Sequence, residues 1–189
     1  LLCAVGVSVS YAASEVYVSP VGDDTTGDGT AGNPYKTIGK GVSIVDAAGT
    51  VHVAAGTYNE RVTINKSLTL LGAQAGIDPT AAGARTTPAA ESIITEAGLS
   101  TPNPDVLIDI PAGVTHVTID GFTLSGDPTN PTSDTSTIRA YDDYIVVRNN
   151  ILSGYNVLLY KGNDHFTAEY NRITANKTGI VVQPNAATD

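Results

Sequence analysis

Carboxylates gather at two places in this sequence, and each grouping could serve ion or substrate chemistry. Asp23, Asp24 and Asp28 fall within a Gly- and Thr-rich stretch, Val21-Gly-Asp-Asp-Thr-Thr-Gly-Asp-Gly-Thr-Ala-Gly32. Acids this close can coordinate Ca2+, with backbone carbonyls completing the shell. Their spacing departs from the alternating pattern of an EF-hand loop, and the same residues also suit a solvated turn. The second grouping is Asp142-Asp143-Tyr144 and, further on, Asn163-Asp164-His165, with Arg139, Arg148 and Lys161 nearby in sequence. Carboxylates on adjacent parallel strands, about 4.8 Å apart, repel unless a cation or base lies between them. Asp143 and Asp164 therefore join Asp23, Asp24 and Asp28 as candidate metal ligands, with Ca2+ the expected ion. The competing reading is turn chemistry that the chain simply repeats. Tyr141, Tyr144, Tyr155 and Tyr160 can offer ring faces to pyranose rings, or can pack against neighbouring strands. Tyr141, Tyr144, Arg148, Tyr160 and Lys161 form the candidate sugar-binding set. The histidines suggest no metal constellation: His52 falls in a strand-like run, and His116 and His165 are far apart in sequence.

The elements that must position these residues follow from composition and pattern. The chain has 189 residues, 41% hydrophobic and only 15% charged, with 19 Gly, 10 Pro and no Met or Trp. That profile excludes a coiled coil and wholesale disorder. The net charge of −9, without a cluster of Lys or Arg, argues against a nucleic-acid partner. The first thirteen residues are apolar and uncharged but too short to span a membrane. They fit the hydrophobic part of a secretory signal peptide, with Ser10-Tyr11-Ala12 as its cleavage site, so residues 1–12 are read as a signal remnant. Cys3, the one cysteine, lies within them, and no disulfide is expected in the rest of the chain. With no initiating Met, the chain is expected to be a fragment.

Residues 13–49 read as a strand, the acidic loop and a helix. Asn33 is the expected N-cap, Pro34 the first helical position, and Ile38, Val42 and Val45 one apolar stripe. Gly49 is the expected stop. From residue 50 onward short β-branched runs recur between Gly, Asn, Asp and Pro, with no helical segment between them, which excludes βαβ folds. Val117–Gly126 aligns with Ile145–Gly154 and again with Phe166–Ala175, and further apolar runs follow at Val157–Tyr160 and Gly179–Val182. Such a repeat means a solenoid, and the leucine-rich skeleton is missing. Residues 50–189 are therefore read as coils of a parallel β-helix, with a β-sandwich as the fold alternative. In that geometry Asn150 stacks on Asn171, Tyr144 lies between His116 and His165, Ile119 stacks with Val147 and Ala168, and Leu124 with Leu152 and Ile173. Gly121 and Asn149 take left-handed turn positions.

Tyr17-Val-Ser-Pro-Val-Gly-Asp-Asp24 through Asn33-Pro-Tyr-Lys-Thr-Ile38 resembles the opening of the pectin-lyase-like superfamily. So does Val51-His-Val-Ala-Ala-Gly-Thr-Tyr-Asn-Glu60 leading into Ser67-Leu-Thr-Leu-Leu-Gly72. The resemblance covers residues 15–189 and implies an all-β, right-handed parallel β-helix whose N-terminal helix covers the open end. It also makes lyase chemistry conceivable: Ca2+ neutralises a uronate carboxylate while an Arg or Lys acts as base. No catalytic motif of the superfamily is matched residue by residue. The expectation is a secreted or cell-surface module, monomeric, associated with polysaccharide and without a membrane span. The alternative is the N-terminal part of a calcium-dependent polysaccharide lyase. A chain of charge −9 repels a polyuronate unless divalent cations bridge them, so either calcium is required, or the ligand is a neutral glycan, or there is no glycan at all.

Overall fold

Runs too short for helices and too apolar for loops pair side by side, each with the equivalent run one repeat away. The computed structural model describes residues 13–96, 99, 106–126, 136–154, 156–160, 165–174 and 179–183. Strand β1 (Ala13–Val18) and helix α1 (Ile38–Ile44) come first. Three strands follow, β2 (Val45–Val53), β3 (Gly56–Asn59) and β4 (Val62–Thr63). The same triplet recurs as β5 (Leu68–Leu71), β6 (Ser92–Thr95) and β7 (Val106–Ile110), then as β8 (Val117–Asp120), β9 (Phe122–Ser125) and β10 (Ser136–Ala140). It continues as β11 (Ile145–Arg148), β12 (Ile151–Ser153) and β13 (Asn156–Tyr160), and as β14 (Phe166–Glu169), β15 (Arg172–Thr174) and β16 (Ile180–Gln183).

Each member of a triplet joins a different parallel sheet. Sheet I runs β1-β2-β5-β8-β11-β14, sheet II β3-β6-β9-β12-β15 and sheet III β4-β7-β10-β13-β16. This winding is consistent with a parallel β-helix, and among the described residues no sheet closes into a barrel. Because side chains alternate along a strand, every second residue of each sheet points inward and stacks on its equivalent. Val16, Val51, Leu70, Ile119 and Val147 form one such buried column, and Tyr58, Ile94, Leu124 and Leu152 another. Ile119–Val147–Ala168 and Leu124–Leu152–Ile173 pair as the repeat requires.

The corner between sheets I and II is held by amides. Asn150 is fully buried; its Oδ1 accepts from the Phe122 N–H at 2.9 Å and its Nδ2 donates to the Ile119 carbonyl at 3.0 Å. Asn171 sits above it, accepting from Asn150 Nδ2 at 3.2 Å and donating to the Val147 carbonyl at 2.7 Å. Beside them Gly121 (φ 83°), Asn149 (φ 52°) and Tyr170 (φ 52°) turn the chain in left-handed conformations. A Cβ on Gly121 would lie 2.1 Å from the Ala75 nitrogen, so the long loop after β5 can approach only a glycine there.

The helix departs from expectation. Its N-cap is Thr37, whose hydroxyl accepts from the Lys40 N–H at 3.2 Å, and not Asn33. Asn33 instead donates from Nδ2 to the Thr26 carbonyl, so its amide ties the acidic loop together. The helix ends at Ile44, and Gly49 lies inside β2 rather than stopping the helix. Gly41 belongs in the helix because a Cβ there would meet Val18 Cγ2 at 2.6 Å, letting α1 settle on β1 and β2. Two strands, β3 and β10, are not marked by the sequence pattern, since their Thr, Asn, Ser and Arg residues blur the apolar alternation. Among the described residues, no helix is long and apolar enough to cross a membrane.

Candidate functional site

The outer face of sheet I carries a graded column of side chains. Strand register places Tyr17, His52, Leu71, Asp120, Arg148 and Glu169 one above another. Beside them Thr50, Thr69 and Thr118 form a second, hydroxyl-bearing column. At the N-terminal end the column is aromatic and apolar. The Tyr17 and His52 rings stack with centroids 4.7 Å apart and planes 12° apart. They face a groove of about 580 Å3 between the loop carrying Val21 and Pro34 and the segment from Leu71 to Ala75. Among the described residues His52 Nε2, a buried atom, has no hydrogen-bond partner, and the Glu15 carboxylate stands 3.9 Å from it.

At the other end the column is ionic. Arg148 Nε donates to Asp120 Oδ2 at 2.8 Å, and its Nη1 lies 4.0 Å from Glu169. Asp120 is buried and also accepts from the Gly76 N–H and from Asn149 Nδ2, both at 2.9 Å. The carboxylate therefore joins three elements: the loop after β5, strand β11 and the corner turn.

The acids of the first loop are used by the loop itself. Asp23 accepts from the Thr25 and Thr26 N–H groups at 2.7 and 2.9 Å, and these bonds, Thr26 first, hold its carboxyl below the usual range. Asp28 is lowered in the same way by the N–H and hydroxyl of Thr30. Burial pushes Asp24 up, but bonds from the Thr37 N–H and hydroxyl and the Lys36 N–H outweigh it and leave it lowered. Asp24 is thus a tether for the start of α1. Glu60 does the same from the opposite side, accepting from the Ile38 and Gly39 N–H groups at 2.8 and 2.9 Å. Burial raises its carboxyl above the usual range despite those bonds, and the charge of Asp24 adds to the rise. Among the described residues no three His, Cys, Asp or Glu side chains converge as a metal site.

The later candidates are spread over the sheet I–III corner. Tyr144, His116 and His165 stack as the repeat requires, with successive ring centroids 4.5 Å apart and planes at 14°. Both faces of Tyr144 are thereby covered by imidazoles, which leaves its edge and hydroxyl outward rather than a face for a sugar. His116 and Tyr144 hold left-handed backbone at φ 56° and 60°. Tyr141 packs under Arg139, whose guanidinium carbon lies 5.6 Å from its ring, and Arg139 also pairs with Asp109 at 2.8 Å. Asp142 accepts from the Gly113 N–H. Asp143 is half-buried beside it. Tyr155, Lys161, Asn163 and Asp164 lie outside the described residues, as does the Tyr160 side chain, so the Asp143–Asp164 pairing falls outside them too.

Two features go unread in the sequence. The Tyr17–His52 pair is visible there as a repeated phrase, Val16-Tyr-Val and Val51-His-Val, whose central residues must share a face. The other is a buried ion pair. The Arg85 side chain is wholly buried, donates twice to Glu91 and once to the Asn149 carbonyl, and pins the loop after β5 onto sheet II. Arg85 stands in a stretch without periodicity, so nothing in the sequence marks it.

Strand order and register are consistent with a parallel β-helix that carries a graded outer sheet. The chain belongs to the family described as "Protein of unknown function (DUF1565)", which matches residues 21–189. No curated protein matches it. Among solved structures, one titled rhamnogalacturonan lyase is similar at a TM-score of 0.49 and 15% identity. That similarity covers 90% of this chain and 56% of the other, so this chain spans little more than half the length of that structure.

Proposed function

We propose that the chain is an exported or cell-surface module, a right-handed β-helical solenoid behind a signal peptide ending at Ala12, that binds polysaccharide along the outer face of sheet I. One observation carries this reading: a single column along the winding passes from stacked aromatic rings beside a groove to an exposed Arg–Glu stretch. A polymer lying along that axis meets apolar surface for its ring faces and charged hydrogen-bonding groups for its hydroxyls. Parallel strands about 4.8 Å apart give the column a length of about 24 Å, suited to an extended chain rather than to one small molecule.

The alternative, the N-terminal part of a calcium-dependent lyase, would take Arg148 or Lys161 as base and calcium at Asp143 and Asp164. Arg148 is bonded to Asp120 and close to Glu169, which makes it a binding group more than a proton acceptor. Calorimetric titration with neutral and acidic hexasaccharides tests the reading. Saturable binding that weakens in Tyr17→Ala and Arg148→Ala supports it. Absence of binding to every glycan, with and without calcium, overturns it. N-terminal sequencing of protein recovered outside expressing cells checks the export signal, with Ala13 expected first.

A further inference from the structure

The segment from Gly72 to Glu91, between β5 and β6, does not stay beside the strands it joins. In a stack of repeats each repeat touches only the one before and the one after, so a contact that skips a repeat comes from outside the strand ladder. Beside β8 the Gly72 N–H donates to the Asp120 carbonyl at 2.8 Å, and the Gly76 N–H to Asp120 Oδ1 at 2.9 Å. On β9 the Thr123 hydroxyl donates to Glu91 at 2.8 Å. One repeat further on, Arg85 donates to the carbonyl of Asn149, directly after β11. One repeat beyond that, Arg172 of β15 donates from Nη1 to the Pro79 carbonyl at 3.4 Å. Register places Thr123, Ile151 and Arg172 in one outward column of sheet II, about 10 Å long over its two strand steps. The segment therefore runs along the stack instead of around it. Its middle anchor is no surface contact, since the Arg85 side chain has no exposed surface and Glu91 keeps only 5%.

We infer that Gly72–Glu91 is a longitudinal strap, anchored by Arg85, that makes the triplets β5–β7, β8–β10, β11–β13 and β14–β16 open as one unit. In a stack without such a tie, stability is a sum of repeat terms and nearest-neighbour interfaces, and the outer repeats open on their own. With the tie, opening of β12 or β15 must also release a buried guanidinium or a bond to the strap. The far strands are thus protected by residues that precede β6. Asp120 carries the same constraint to sheet I, because its Oδ1 takes the Gly76 N–H of the strap while its Oδ2 takes Arg148 Nε. The inference concerns the fold and holds whatever the outer face of sheet I binds.

Native-state amide exchange of the full chain, read residue by residue by NMR, tests the strap. Arg85→Met with Glu91→Leu removes the anchor without stranding a charge. Amides of β12 and β15 are expected to exchange about tenfold faster in this variant, the loss of one hydrogen bond from a charged donor. Amides of β2, which the strap does not reach, are expected to keep the wild-type rate. Coupling through neighbours alone gives another pattern, with acceleration greatest at β6 and β9 and none at β15, and that pattern overturns the strap. Equal acceleration of every strand, β2 included, also overturns it, because it reports a loss of global stability only. If the double variant does not fold, Arg172→Met decides, since Arg172 is exposed and its loss removes only the outermost anchor. Faster exchange of the Ala81 and Ala84 amides, which lie in the strap, supports the tie to β15. Unchanged exchange at both overturns it.

Discussion

Glu91→Gln should be among the most damaging polar substitutions in this chain. Arg85 has no exposed side-chain surface and Glu91 keeps only 5%, so solvent screens neither charge. Glu91 takes two bonds from Arg85 and a third from the Thr123 hydroxyl at 2.8 Å. An amide retains one acceptor, brings two donors to a place built for acceptors, and leaves the guanidinium uncompensated. Breaking a buried pair from one side costs about 3–5 kcal/mol. A degree of Tm shift per fraction of a kcal/mol is expected at this length, so the fall should be about 6–20 °C. Replacing both partners, as in Arg85→Met with Glu91→Leu, removes the stranded charge and should recover most of that loss. Urea titration followed by circular dichroism compares both variants with the wild type, and proteolysis of the loop between β5 and β6 reports whether it lifts. The reasoning fails if Glu91→Gln costs under about 1 kcal/mol, the range of an exposed ion pair, or if the double variant is as unstable as the single.

Three further outcomes rest on the same geometry. Asn150→Ala strands the Phe122 N–H and the Ile119 carbonyl in a fully buried corner, so a loss of about 2–4 kcal/mol in urea titration is expected. Gly41→Ala should destabilise although alanine favours helices. The added methyl, 2.6 Å from Val18 Cγ2, costs about 1–3 kcal/mol of overpacking against a propensity gain of about 1 kcal/mol. Asp78 is held low by the Thr80 hydroxyl and N–H, as Asp28 is by Thr30. In melting curves from about pH 7 to about pH 2.5, the lowered carboxyls of Asp23, Asp24, Asp28 and Asp78 contribute stability above the ordinary aspartate value of 3.8, and it is lost as pH falls through their folded values. Glu60 has the opposite sign: its contribution is complete below its ordinary 4.5 and declines as pH rises through its raised folded value. Glu60→Gln should therefore flatten the neutral side of the profile and leave the acid limb; an unchanged neutral side would contradict the assignment.

How much is legible in the sequence depends on whether a residue's partner stands one repeat away. Asn150 over Asn171, Tyr144 between His116 and His165, and Leu152 between Leu124 and Ile173 are all readable, because a parallel winding turns an offset in sequence into a contact. The helix start is misread for the complementary reason. Asn33-Pro34 is a sound local cap, yet Asn33 is claimed by Thr26 across the loop, and Asp24 and Glu60 supply acceptors for the α1 backbone donors from outside the helix. Arg85 with Glu91 is the extreme case, since a contact between residues six apart within one loop obeys no repeat period.

The same distinction bears on the site. Stacking identical coils reproduces turns such as those at Asp142 and Tyr144 whether or not a ligand needs them, so repetition alone is weak support for a function. The Tyr17–His52 end differs because the loop that walls its groove occurs once, before the winding begins. A groove that the repeat does not impose is where a ligand has most to add. By that argument the N-terminal end of sheet I, rather than the more regular ladder at His116, Tyr144 and His165, is where binding should be sought first.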